Sequence, residues 1–218
     1  METTLDTYTA PVDPAVPVVC MDEAGTALQG DVREPLPGRP GAVARQDPEY
    51  ARHGSANLFL FYAPHLGWRH VTVTTQRTAV DWALAMRELV DVHFPAAARI
   101  IVVLDNLNTH RLASLYAAFP PAEAHRLART LELRYTPKHG SWLNMAELEL
   151  SVLARQCLAR RIPDRATLAT EVAAWAAARN AVAAPARWSF TTDAARTRLT
   201  HLYPVPLCDT TTWTDYSE

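Results

Sequence analysis

The sequence predicts an α/β fold in which a mixed β-sheet is flanked by helices. Three patterns predict it. Ile100-Ile101-Val102-Val103-Leu104 is an unbroken apolar run, the mark of a central strand covered on both faces, and it stops at Asp105. Residues 57–63 and 68–75, rich in aromatic and β-branched side chains, flank Pro64-His65-Leu66-Gly67 and read as two antiparallel strands around a turn. Residues 78–93, 143–158 and 166–183 carry helical patterns.

In chain order, residues 1–17 hold Pro11, Pro14 and Pro17 and read as an extended lead-in. Val18-Val19-Cys20-Met21 is a short buried strand that stops at Asp22 and completes a three-stranded meander with the next two. Pro35, Pro37, Gly38, Pro40 and Gly41 crowd into an exposed loop. The helix over 78–93 places Val80, Ala83, Leu84, Leu89 and Val90 at helical spacing and is stopped by Pro95. A helical segment follows the central strand, residues 131–135 add another strand, and two helices close the domain. Residues 205–218 form a polar tail. This order of strands and helices matches a ribonuclease H-like domain over residues 18–204.

With 218 residues, 49% of them hydrophobic, the chain is long enough for one sizeable core. Its formal charge of −2 excludes a general electrostatic attraction to nucleic acid, so any such contact must be local. Lys138 is the only lysine; every other long basic side chain is an arginine, suited to forked contacts with phosphate or carboxylate. Cys20, Cys157 and Cys208 are odd in number and widely spaced, which fits neither a disulfide framework nor a paired-cysteine metal site. No apolar run reaches the ~20 residues of a membrane span and no signal-peptide pattern opens the chain, so a cytoplasmic protein is expected.

Asp22 and Asp105 each end an apolar run, where a charged side chain can face a crevice above the sheet. Two carboxylates side by side repel and require a proton or a cation. Ordinary turn capping is the alternative for either residue alone. The helix over 143–158 supplies a third acid. Leu143, Ala146, Leu150, Leu153, Ala154 and Cys157 form its apolar stripe; at ~100° per residue Glu147 falls at the edge of the stripe and Glu149 on the far side. Glu147 is therefore the acid expected to face the protein, with a cation or Arg155 as its partner.

Three blocks are similar to the DDE transposases of mariner-related bacterial insertion sequences. They are Val-Cys-Met-Asp-Glu ending at Glu23, Val-Leu-Asp-Asn-Leu-Asn-Thr-His over 103–110, and Tyr-Thr-Pro-Lys-His-Gly-Ser-Trp-Leu-Asn-Met-Ala-Glu over 135–147. The resemblance implies that Asp22, Asp105 and Glu147 are the catalytic, metal-holding triad. Two Mg2+ or Mn2+ ions would serve cleavage of a phosphodiester and strand transfer without a covalent protein intermediate. Glu23, Asn106, His110 and Asn144 are expected to support the triad, with Asn106 and His110 either orienting Asp105 or touching a phosphate, and ordinary helix-start capping by Asn108 or Thr109 as the alternative. Lys138, His139, Ser141, Arg155, Arg160 and Arg161 are the expected DNA contacts, although Ser141 equally suits a helix cap and the arginines a solvated face.

The resemblance also implies a homodimer, because two DNA ends must meet. Ala24-Gly25-Thr26-Ala27 departs from the family pattern of small polar residues and a lysine. Family members carry helix-turn-helix modules ahead of the catalytic domain, and only the lead-in precedes Val18 here. A separately encoded DNA reader and a silent transposase remnant are the two readings of that difference. Another ribonuclease H-like nuclease is the remaining competitor; a serine hydrolase is set aside because Trp142 and Leu143 follow Ser141 where a nucleophile elbow needs glycine.

Overall fold

A computed structural model describes residues 1–138 and 140–203. Its sheet contains β1 (Val18–Asp31), β2 (Tyr50–Ala63), β3 (Trp68–Thr74), β4 (Ile100–Leu104) and β5 (Leu131–Tyr135) in the order β3-β2-β1-β4-β5. The meander β1-β2-β3 is antiparallel, whereas β4 runs parallel to both β1 and β5. The helices are α1 (Glu2–Thr9), α2 (Ala79–Glu88), α3 (Leu112–Ala118), α4 (Pro121–Thr130), α5 (Ala146–Gln156), α6 (Arg165–Val182) and α7 (Thr192–Arg198).

Strand alternation divides the core between the two faces of the sheet. Cys20, Leu58 and Leu60 pack with Leu153 of α5 and Leu168 and Val172 of α6. Met21, Phe59 and Phe61 pack on the opposite face with Trp82 and Met86 of α2, Leu115 of α3 and Leu127 of α4. Thr78 starts α2 through a capping box with Asp81, whose backbone N–H the Thr78 hydroxyl accepts. The helix expected over 78–93 is α-helical only to Glu88; Leu89–His93 is a π turn.

Three expectations are corrected. The lead-in is not extended throughout, because Glu2–Thr9 is helical and only the proline-bearing stretch 10–17 is not. Leu5 and Tyr8, three residues apart on one helix face, are both buried. The Tyr8 hydroxyl donates to the Leu143 carbonyl at 2.7 Å and lies 3.1 Å from Cys20 Sγ, which seats α1 in the core. Second, β1 does not stop at Asp22 but continues to Asp31, because β2 keeps pairing with it after β4 has ended. The expected polar tail, 205–218, and with it Cys208, lies outside the described residues.

Third, Glu149 rather than Glu147 is the more deeply buried acid of α5. The side of α5 away from its apolar stripe is covered by arginines. Arg69 of β3 approaches Glu149 at 3.0 Å, and Arg179 of α6 donates to it at 3.0 and 3.2 Å. Asn180 then accepts from the Arg69 backbone N–H and donates to the Arg69 carbonyl, both at 2.8 Å, tying α6 to β3. Removing one member of a buried ion pair strands its partner and costs about 3–5 kcal/mol. Glu149→Ala should therefore lower unfolding free energy by about that amount in denaturant titration, whereas Glu147→Ala should change it little.

Candidate active site

The two aspartates meet because of register. In the parallel β1–β4 pair, Val18, Val19 and Cys20 lie opposite Ile101, Val102 and Val103. Carried two residues further, that register brings Asp22 level with Asp105, just past the end of β4. Asp22 stands opposite Leu60 of β2, so its side chain shares the sheet face covered by α5. Glu147 lies in the first turn of α5 and is half-buried.

Asn144 fixes that first turn. It is buried, donates from Nδ2 to the Met21 carbonyl at 2.9 Å, and accepts the Ala146 N–H on Oδ1 at 3.1 Å. The start of α5 is thus pinned to the residue before Asp22. Ser141 does not cap α5, which begins at Ala146; it opens a 3-10 turn, Ser141–Leu143, and is exposed. Gly140 is required just before it, since a Cβ there would lie 2.5 Å from Pro137 Cγ.

Burial pushes the Asp22 carboxyl up to about 6; the Glu23 N–H, donating at 2.8 Å, opposes this, and the charges of Asp105, Glu147 and Glu23 add to it. All three acids therefore act on one position. An all-oxygen donor set with surplus negative charge fits a hard divalent cation. Among the described residues these acids are not drawn to within 4.8 Å of one another, as His70, Glu88 and His93 are elsewhere. A two-ion site has its ions ~3.5–4 Å apart, and magnesium takes only one or two carboxylates per ion, so full convergence is not needed.

His110 is fully buried and bridges two acids. Its Nδ1 lies 2.6 Å from Asp105 Oδ1 and its Nε2 2.8 Å from Glu23 Oε1. Trp82 stacks beside the ring at 6.0 Å, and Tyr135 donates to the His110 carbonyl at 2.7 Å. Burial pulls the imidazolium pKa down, but the hydrogen bonds to Asp105 and Glu23 prevail and raise it to about 9. Of the two expected uses of His110, orienting Asp105 fits the geometry; contact with a phosphate does not, because the ring has no exposed surface. Glu23 points to the opposite sheet face from Asp22 and is itself buried, with Arg77 3.9 Å away.

Other expected residues are more scattered. Asn106 is exposed beside Asp105. Lys138 is exposed on the loop after β5, at the same end of the sheet, where the Thr136 N–H donates to the Leu104 carbonyl. His139 lies outside the described residues. Arg155 is exposed, so the ion pair considered for Glu147 does not form among the described residues. Arg160 pairs with Glu171. Arg161 corrects the expectation of a free DNA contact: it pairs with Asp31 at 2.7 Å and donates to the carbonyls of Asp47, Pro48 and Glu49, so it latches the 31–50 loop.

With the site's geometry in place, comparison with known proteins decides its family. The family model described as DDE superfamily endonuclease matches residues 17–169, most of the chain and all three acids. The chain belongs to that family. No curated protein sequence matches it significantly. Two solved structures share the fold: the Mos1 strand transfer complex (14% identity, TM-score 0.52) and the Mos1 mariner paired end complex with Mn (16% identity, TM-score 0.53). They cover 74% and 81% of this chain, which in turn covers 47% and 52% of them. The chain thus spans about half their length, and at these identities the likeness establishes the ribonuclease H-like fold. No helix among the described residues is long and apolar enough to cross a membrane.

The His110 bridge predicts a pH dependence. A pKa raised in the folded state gives stabilisation that is complete below the unfolded value of 6.5 and is lost as pH rises through about 9. Unfolding free energy should fall across that window by up to about 3 kcal/mol, and in His110→Asn the fall should disappear. The raised Asp22 carboxyl acts lower, stability declining as pH rises from 3.8 to about 6, so the two windows separate in thermal melts.

Proposed function

We propose that this chain is the catalytic domain of a transposase, carrying out metal-dependent DNA strand cleavage and strand transfer. The observation that supports the reading is the parallel register of β1 with β4, which carries Asp22 level with Asp105, together with Asn144, which pins the start of α5, and with it Glu147, to the residue before Asp22. Asp22, Asp105 and Glu147 hold divalent ions, Mg2+ or Mn2+, between the sheet end and the first turn of α5. When bound, a pair of such ions lowers the barrier to in-line displacement at phosphorus by stabilising the attacking and leaving oxygens.

The residues around the triad hold the carboxylates in place. His110 fixes one Asp105 oxygen and leaves the other free, while Glu23 keeps His110 from turning. Asn144 sets the height of Glu147 relative to Asp22 by joining α5 to β1. The exposed Lys138, Ser141 and Arg155, with Asn106 beside Asp105, are the side chains offered to phosphates along the DNA, together with His139; Arg160 joins them by exchanging Glu171 for a phosphate. A dimer follows from the need to hold two DNA ends.

The test is nicking of supercoiled plasmid with Mg2+ or Mn2+, with a chelator control. Wild-type chain should nick only with metal, and Asp105→Ala and Glu147→Ala should abolish nicking while retaining DNA binding. His110→Gln should lower the rate by about 10–100-fold, the usual effect of loosening a metal ligand's support. Unchanged nicking in Glu147→Ala would remove that residue from the site, and no nicking even with an added DNA-reading domain would favour a silent remnant.

A further inference from the structure

Two strands across the sheet from Asp22 and on its opposite face, His70 of β3, Glu88 at the end of α2 and His93 at the end of the π turn bring three ligand atoms within 4.8 Å of one another. His70 Nε2 lies 3.3 Å and His93 Nε2 3.7 Å from the same oxygen, Glu88 Oε1. In a tetrahedral site with bonds of ~2.0–2.1 Å, ligand atoms sit ~3.3–3.4 Å apart. The cluster is therefore close to the dimensions of one metal ion.

Two independent features point to a ligand. His93 Nε2 is buried and makes no hydrogen bond, which is costly for a ring nitrogen placed beside a carboxylate. The backbone also departs from regular helix to place it there. At 3.6 residues per turn, position i+5 lies ~140° round the helix from position i, so a continued α-helix would carry His93 away from Glu88. The widened turn over Leu89–His93, closed by the Phe94 N–H to the Leu89 carbonyl at 3.0 Å, brings the two together.

The surroundings complete a site. The Thr72 hydroxyl donates to Glu88 Oε2 at 3.1 Å, holding the carboxylate with Oε1 toward the histidines. Trp68 covers the imidazoles, with ring centroids 5.0 Å from His93 and 6.3 Å from His70. A cleft of about 530 Å³, lined in part by Thr72, Glu88 and Asp91, reaches the carboxylate from solvent. Two imidazoles and one carboxylate suit a borderline ion of the zinc class and are poor donors for magnesium, so this chemistry differs from that of Asp22, Asp105 and Glu147.

We propose that His70, Glu88 and His93 form a second metal site, selective for a zinc-class divalent cation, with its fourth position open to water. Its position suggests its effect: the ion joins the edge strand β3 to the end of α2. Binding there stabilises the folded chain by mass action.

Chelator-treated chain is titrated with Zn2+ by calorimetry in excess Mg2+, and Co2+ is added separately as an optical probe of ligation. One zinc per chain, a rise in melting temperature and a Co2+ d–d spectrum of low coordination number are expected. His70→Gln and His93→Gln should each weaken zinc binding by about 10-fold or more, while Asp105→Asn should leave it unchanged. Circular dichroism confirms that the variants are folded; should either histidine variant fail to fold, Thr72→Val, which removes the hydroxyl that donates to Glu88 and lies 3.2 Å from His70 Nε2, should still reduce affinity. Absence of zinc binding by the wild-type chain, or equal binding by a folded His93→Gln, would overturn the proposal and leave the cluster a hydrogen-bonded group.

Discussion

Like charges held side by side are the constraint around which this domain is arranged. Parallel pairing of β1 with β4 forces Asp22 and Asp105 to one end of the sheet, and α5 adds Glu147 where each further negative charge raises the cost of ionising Asp22. The fold accepts this because the backbone pairing that imposes it lies within an apolar core of Val19, Val102 and Val103. Part of the charge is offset locally, by His110 lying between Asp105 and Glu23. The rest of the negative charge suits a hard divalent cation.

The same chain treats its two neighbouring helix acids in opposite ways. Glu149 is neutralised from within by Arg69 and Arg179, supplied by β3 and α6, and so belongs to the framework. Glu147, two residues earlier, has no ion-pair partner among the described residues and stands half-buried at the sheet end. A buried carboxylate with two guanidinium partners and a half-buried one with none differ in purpose, although the sequence presents them as Glu-Leu-Glu. The support of the site also reaches into the first helix, where Tyr8 joins the loop ahead of Glu147 to Cys20, two residues before Asp22.

Much of this was legible in the sequence because strands buried on both faces leave an unbroken apolar run, as Ile100–Leu104 does, and because the meander turn at Pro64–Gly67 is marked by its residues. The far half of β1 left no such mark, since Ala24–Ala27 is half-buried to exposed and carries no large apolar side chain, the core on that side coming from Ala56 and Leu58 of β2. Helix α1 was hidden by the prolines that follow it and reveals itself only through long-range burial of Leu5 and Tyr8; short α7 left too little periodicity to read. The helical wheel pointed to Glu147 as the acid facing the protein and missed the deeper burial of Glu149, because periodicity registers apolar burial and not a face covered by arginines from distant elements. The pairing of His110 with Glu23 across 87 residues could be narrowed by sequence to a role for each, not to their contact.

The central claim is that Asp22, Asp105 and Glu147 form one cation-holding centre, with Glu149 outside it. Calorimetric titration of Mn2+ into the wild-type chain and into Asp22→Asn, Asp105→Asn, Glu147→Gln and Glu149→Gln, each kept in the His93→Gln background, tests it most directly. Mn2+ should bind the chain whose acids are intact, fail to bind each of the three triad variants, and still bind folded Glu149→Gln. Undiminished Mn2+ binding by Glu147→Gln, or loss confined to Glu149→Gln, would contradict it.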